Sequence, residues 1–255
     1  MRKMQAMPIA VLGATAAGIG AALARPEETV LLESGMLLAP EYVASLNIRR
    51  FQKPSGRDQA MGLYAQCQSL GLLDAAGHPH VFPLPSLLAQ RLLDSNADVR
   101  LCAMLTRAER LDEGWLLTYF DAEGFHTLKA RELLDTREQP SGRRSLCAML
   151  AGSGTRPHLP ESTGASLLQG ALPGEFALKL PVSAEWPMAR AALRDFWRKF
   201  QPEGWQIASV APCYAYDYEA PVVGLGPDGR HQCVSSAFGD LMSAFEGGIA
   251  CACTL

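Results

Sequence analysis

The chain reads as an α/β protein with a parallel central sheet, and three observations predict it. First, an apolar run, Ile9 to Leu12, meets a glycine-bearing turn and an alanine-rich helix, and a second apolar run, Thr29 to Leu32, ends in Glu33. Short apolar runs without alternation suit parallel strands covered on both faces, so this is a βαβ unit. Second, three short strand-like segments are divided by Asp-Glu-Gly114 and Asp-Ala-Glu-Gly124. Glycine after acidic residues makes tight hairpin turns, which gives a β-meander. Third, strand, Gly239-Asp240 turn and small-residue helix follow one another near the other end. The intervening 138–227 reads as a smaller α+β region.

The first unit carries the clearest chemistry. Gly13 permits a tight turn, and Gly18 permits close packing of helix on strand. In such a layout the backbone N–H groups at the helix start face the pyrophosphate of a dinucleotide. Thr15 stands at the middle position, where glycine usually lets the backbone approach a phosphate. Glu33 follows Gly13 by 20 residues, where such folds place the acid that binds a ribose hydroxyl. The same stretch, with Arg2, Lys3 and Ala22-Leu-Ala24, also has the outline of a secretory leader. Glycines at turn spacing, and the direct run into a second strand, favour the nucleotide unit. Seven cysteines, an odd number at irregular spacing, suit a reducing compartment, so a cytoplasmic protein is expected.

At 255 residues the chain can bury a sizeable core, and 48% apolar with 19% charged residues is an ordinary globular composition. A net charge of -3 without a basic stripe gives no reason to expect nucleic acid. Away from the N-terminus no run of 18 apolar residues exists, so no membrane span is expected.

The remaining elements follow in order. After Ser34 and Gly35 comes a loop and helix region, Pro40 to Leu73, with amphipathic spacing at Met61, Tyr64, Ala65 and Leu72. Ala76 to Pro85 is a proline-punctuated connection. Ser86 to Leu93 is a helix and Asp98 to Met104 a strand. The meander covers Leu105 to Leu111, Trp115 to Phe120 and Phe125 to Ala130, and Glu132 to Thr136 is one more buried strand. Arg137 to Pro160 is rich in Gly, Ser, Arg and Pro and has little periodicity. Ala165 to Pro181 reads as strands, Pro187 to Phe200 as a helix and Ile207 to Tyr218 as extended. His231 to Cys253 is the closing strand, turn and helix.

In this order the elements resemble a compact member of the FAD-dependent oxidoreductases of the glutathione-reductase-like superfamily. The resemblance implies a Rossmann-like FAD-binding domain made of 1–137 and 228–255, with 138–227 as a substrate or cap region. It implies non-covalent FAD, with Gly13, Ala14, Thr15, Ala16, Ala17 and Gly18 around the pyrophosphate and Glu33 with Ser34 at the adenosine ribose. Met104 and Thr136 would line the site, and Gly239 with Asp240 would hold the ribityl side. Asp135-Thr-Arg137 stands where the family usually ends a strand in Ala-Thr-Gly. The implied reaction is hydride transfer between a small organic substrate and the flavin, and no general base can be named. Two alternatives remain: a non-catalytic FAD- or nucleotide-binding protein that keeps the fold, and an NAD(P)-dependent enzyme, in which Glu33 would favour NAD because a carboxylate repels a 2′-phosphate.

Other motifs have plainer readings. Gly224-Leu-Gly-Pro-Asp-Gly229 repeats the glycine spacing, but strand rather than helix follows, so it is a hairpin. Cys251 and Cys253 point apart on a helix and read as small helix residues. His78-Pro-His80 lacks a completing ligand cluster and reads as a loop. Tyr214, Tyr216 and Tyr218 share one strand face, which in the family can line the flavin cavity or can be a half-buried aromatic face. Trp186, Trp197 and Trp205 read as core or cap residues.

Overall fold

The computed structural model describes residues 5–139, 141–152 and 156–255. Arg2 and Lys3 lie outside the described residues. In chain order the elements begin with β1 (Gln5–Leu12), α1 (Ala16–Ala24), β2 (Thr29–Leu32), α2 (Pro40–Val43), α3 (Asp58–Ser69), α4 (Leu84–Asp94) and β3 (Asp98–Arg100). The meander follows as β4 (Met104–Leu111), β5 (Gly114–Asp121) and β6 (Gly124–Asp135). Next come β7 (Arg143–Gly152), β8 (Ser166–Gln169), β9 (Phe176–Pro181), α5 (Trp186–Phe200), β10 (Trp205–Val210) and β11 (Ala215–Asp217). β12 (Val223–Leu225), β13 (His231–Cys233) and α6 (Leu241–Ala252) close the chain.

The larger sheet has the order β12-β13-β6-β1-β2-β3, with β13, β6, β1, β2 and β3 parallel. β1 sends Ile9 and Val11 to the helical side, and Ala10 and Leu12 to a second cluster with Trp115, Leu117 and Leu128. Both faces are covered, which is why its sequence is apolar without alternation. The meander is an antiparallel extension: β4 pairs with β5, and β5 with the first half of β6. β6 is one strand of 12 residues, so the expected segments at 125–130 and 132–136 are continuous. Its second half leaves β5 and runs between β1 and β13.

The smaller sheet has the order β10-β7-β9-β8, with β11 also on β7. β7 lies inside the stretch expected to lack periodicity, of which 140 and 153–155 are outside the described residues. Ser145 to Leu150 are all buried, so the strand is covered on both faces and shows no alternation in sequence.

Three further expectations are corrected. The strand expected to reach Met104 ends at Arg100, because Leu101 and Cys102 make a turn with Cys102 at φ +55°. α3 buries Ala60, Leu63 and Cys67 instead of Met61 and Ala65, since it packs on α1 and α6 through that stripe. The boundary expected at 227 falls inside the β12–β13 hairpin, both strands of which belong to the larger sheet. That hairpin is where the second glycine motif lies; Gly226 N donates to Arg230 O at 2.7 Å.

α1 and α6 touch backbone to backbone. A Cβ at Gly248 would stand 1.8 Å from Ala17 O, and one at Gly20 would stand 2.1 Å from Phe245 O. This contact sets α6 against α1, and Ser235, just before the C-terminal turn, reaches the start of α1 through Ala17 N.

Candidate cofactor site

The turn after β1 is built as its residue types require. Gly13 has φ +97°, and its N–H donates to Leu32 O at 2.8 Å. A Cβ at Gly18 would come 2.0 Å from Gly13 O, so only glycine lets α1 start this close. Thr15 caps α1: its hydroxyl accepts from Gly18 N at 3.1 Å and donates to Thr136 Oγ1 at 2.7 Å. Thr136 Oγ1 lies 2.9 Å from Leu12 O and 3.1 Å from Gly13 O, towards which it donates. The threonine in place of glycine thus ties the ends of β1 and β6 to the helix start.

Four amides at that start, those of Ala14, Ala16, Ala17 and Gly18, meet side chains. Ala14 N donates to Glu33 Oε2 at 2.8 Å, Ala16 N to Glu41 Oε1 at 2.7 Å, and Ala17 N to Ser235 Oγ at 3.1 Å. Ser235 Oγ itself donates to Glu41 Oε1 at 2.6 Å. A carboxylate at a helix N-terminus is favoured by the macrodipole. Yet burial dominates at Glu41 and raises its pKa to about 7, even though the Ser235 and Ala16 hydrogen bonds pull the other way. Glu41 Oε2 is buried without a partner. Neither Glu41 nor Ser235 was singled out in the sequence; a lone acid within Leu37-Leu-Ala-Pro-Glu-Tyr-Val43 was the available signal.

Around this start the structure brings together Gly13 to Gly18, Glu33 and Thr136. Glu33 ends β2, and its Oε1 accepts from Gly35 N at 2.6 Å and Ser34 Oγ at 3.2 Å, both exposed contacts. Arg137 runs across the loop: its Cγ lies 2.7 Å from where a Cβ of Gly13 would stand. Its guanidinium is fixed by Asp135, with Nε–Oδ1 at 2.9 Å and Nη2–Oδ2 at 2.7 Å. Met104 is not at the end of a parallel strand; it begins β4 and is exposed.

The C-terminal turn is the second helix start. Asp240 caps α6, accepting from Met242 N at 2.9 Å and Ser243 N at 3.2 Å, and its other oxygen accepts from Ser243 Oγ at 2.7 Å. Burial raises the Asp240 pKa against those hydrogen bonds. Nothing lies within 4 Å of where a Cβ of Gly239 would stand. Burial also raises Glu138, whose Oε2 accepts from Tyr218 OH at 3.1 Å and from Ser236 Oγ.

The other candidates have structural partners. Cys251 is partly buried on α6 and Cys253 is the exposed residue that ends it; interaction with Cys251 raises the pKa of the buried Cys233. His78 pairs with Asp74 at 2.7 Å and His80 with Glu175 at 2.8 Å; no metal-binding cluster exists among the described residues. Tyr214 OH donates to Ala184 O, and Tyr218 OH bonds the Gln139 backbone. Trp197 and Trp205 are buried, and Trp186 packs edge-on against Tyr214. No helix among the described residues is long and apolar enough to cross a membrane.

No family model matches the chain, and no curated protein sequence does. Solved structures match throughout its length. BexE, studied for oxidation during BE-7585A biosynthesis, superposes with a TM-score of 0.60 at 17% identity over 91% of this chain and 56% of its own. The chain therefore spans little more than half of that protein. L-proline dehydrogenase from P. horikoshii gives a TM-score of 0.63 at 10% identity, covering 98% of this chain and 93% of its own. A flavoprotein/dehydrogenase from Cytophaga hutchinsonii gives 0.57 at 13% identity, covering 97% and 77%. The chain has the α/β fold of these proteins.

Proposed function

We propose that the protein is an FAD-dependent oxidoreductase acting on a small organic molecule. The observation that carries this reading is the pairing of two helix starts, α1 behind Gly13 and α6 behind Gly239, with the segment that leads into α6 joined to the start of α1 by the Ala17 N–Ser235 Oγ hydrogen bond. FAD is long, and its two ends need separate anchors. The residues fit it at both. Glu33 and Ser34 offer exposed oxygens for the adenosine ribose, and Gly239 has open space before it, with Asp240 for the ribityl side. Between them, Glu41 and Ser235 already take the amides of Ala16 and Ala17. The pyrophosphate would therefore be held by Arg137 and by the positive end of α1, beside the Gly13–Gly18 turn. Glu41, with its pKa raised to about 7 and so only partly ionised at neutral pH, exerts less repulsion there than an ordinary carboxylate would.

When bound, FAD supplies hydride acceptance from the substrate. The chain's part is to bind and orient: residues 1–137 with the closing hairpin and α6 would hold the cofactor, and the smaller sheet would cover the flavin end. A second reading, a nucleotide-binding protein without catalysis, is favoured by one observation, that the amides of Ala14, Ala16, Ala17 and Gly18 all have internal partners. Titration with FAD, FMN and ADP, followed by flavin and tryptophan fluorescence, separates the readings. Tighter binding of FAD than of either fragment, together with turnover of an organic substrate with an added electron acceptor, supports the oxidoreductase. ADP bound as tightly as FAD would point to the second reading, and binding of none would overturn both.

A further inference from the structure

We infer that the cleft between the smaller sheet and the loop after α2 is a binding site for a small organic carboxylate, the substrate class of the reaction proposed above. The cleft has a volume of about 520 Å³ and is lined by Arg49, Arg143, Arg144, Ser145, Lys179 and Asp217, among others. That size is within the range of small-molecule sites.

Its charge does not balance. Lys179 on β9 has a side chain only 7% exposed, and its Nζ donates to Asp217 Oδ1 at 2.7 Å and to Asn47 Oδ1 at 3.2 Å. Arg49 pairs with the same Asp217 oxygen. One carboxylate thus faces two cations, of which Lys179 is buried and Arg49 partly exposed. Arg144 adds a third, bonded to Ser183 O at 2.9 Å and Glu185 at 3.4 Å, and Arg143 at the mouth has no ion-pair partner among the described residues. Uncompensated buried charge is costly. Burial and Arg49 together pull the Lys179 ammonium down to about 7. An entering carboxylate would supply the missing negative charge and accept from the guanidinium forks, which match its geometry.

The cleft is also in the right place. Arg49 Nη1 lies 3.5 Å from Gly239 O, so the cationic cluster reaches the turn at which the flavin end of the cofactor is proposed. A bound carboxylate would be oriented by its charged end. The substrate role rests on the flavin reading; the anion site does not.

The test is calorimetric titration of the FAD-incubated protein with benzoate, with the neutral benzamide as control. Benzoate is expected to bind at least tenfold more tightly than benzamide and to perturb the flavin's visible spectrum. Lys179→Met should weaken benzoate at least tenfold. Arg143→Gln, an exposed substitution that leaves the core untouched, should weaken it two- to fivefold while FAD uptake is unchanged. Equal binding of benzoate and benzamide, or no binding of either, would overturn the carboxylate site. Benzoate selectivity in a protein that takes up no FAD would support the anion site and overturn the flavin reading alone.

Discussion

Glu41→Gln should abolish a pH-dependent loss of stability, and the size of that loss follows from the burial of one carboxyl group. Glu41 is fully enclosed beneath the start of α1, and its pKa rises from 4.5 to about 7. Between those values the folded protein retains a proton that the unfolded chain has released. Stability therefore falls as pH rises through that window and levels off above about 7. At about 1.4 kcal/mol per pH unit, this amounts to about 3 kcal/mol. Glutamine keeps an oxygen to accept from Ala16 N and Ser235 Oγ but carries no charge, so the variant lacks this slope. Urea unfolding of both proteins at pH 4 and pH 8 measures it. The difference in unfolding free energy, variant minus wild type, should grow by about 3 kcal/mol from the acid to the alkaline condition. A difference that stays constant would show that Glu41 is ionised in the folded state, and the account of α1's start would be wrong.

Three further substitutions have defined outcomes. Glu33→Gln removes a charge-assisted hydrogen bond of about 1.5–3 kcal/mol, so FAD should bind roughly ten- to a hundredfold more weakly by fluorescence titration, with the fold intact and the melting temperature slightly lowered because glutamine accepts from only one of Ala14 N and Gly35 N. Unchanged affinity would remove Glu33 from the ribose. Asp240→Ala should cost about 0.5–2 kcal/mol as a lost cap, and should weaken FAD while leaving ADP as before. Equal weakening of both ligands, or of neither, would remove Asp240 from the site. For Gly248→Ala, helix propensity alone gives a gain of about 1 kcal/mol, whereas the Cβ meeting Ala17 O at 1.8 Å forces α1 and α6 apart. A net loss of about 3 kcal/mol or more is expected, and a raised melting temperature would contradict the contact.

The parts of the fold legible in sequence are those set by neighbours along the chain. β1, α1 and β2 announce themselves through apolar runs and the Gly13 and Gly18 turn, and the meander through Gly114 and Gly124. β7 does not, because a strand covered on both faces has no period of two, and its flanks are rich in turn residues. The break after Arg100 is equally silent: Cys102 takes a left-handed conformation that no Gly, Asn or Pro marks. The candidate site divides the same way. Gly13, Thr15, Gly18 and Glu33 belong to one local unit. Glu41 capping Ala16, Ser235 capping Ala17 and Asp217 gathering Arg49 and Lys179 join residues distant in the chain, so their roles exist only once the chain has folded.

The most direct measurement of the central claim is the identity of whatever nucleotide the folded protein holds. Protein incubated with excess FAD, freed of unbound cofactor and then heat-denatured, releases its ligand for identification by mass and absorbance. The account predicts yellow protein and close to one FAD per chain. Colourless protein that releases no flavin, or one that retains ADP and excludes FAD, would contradict it.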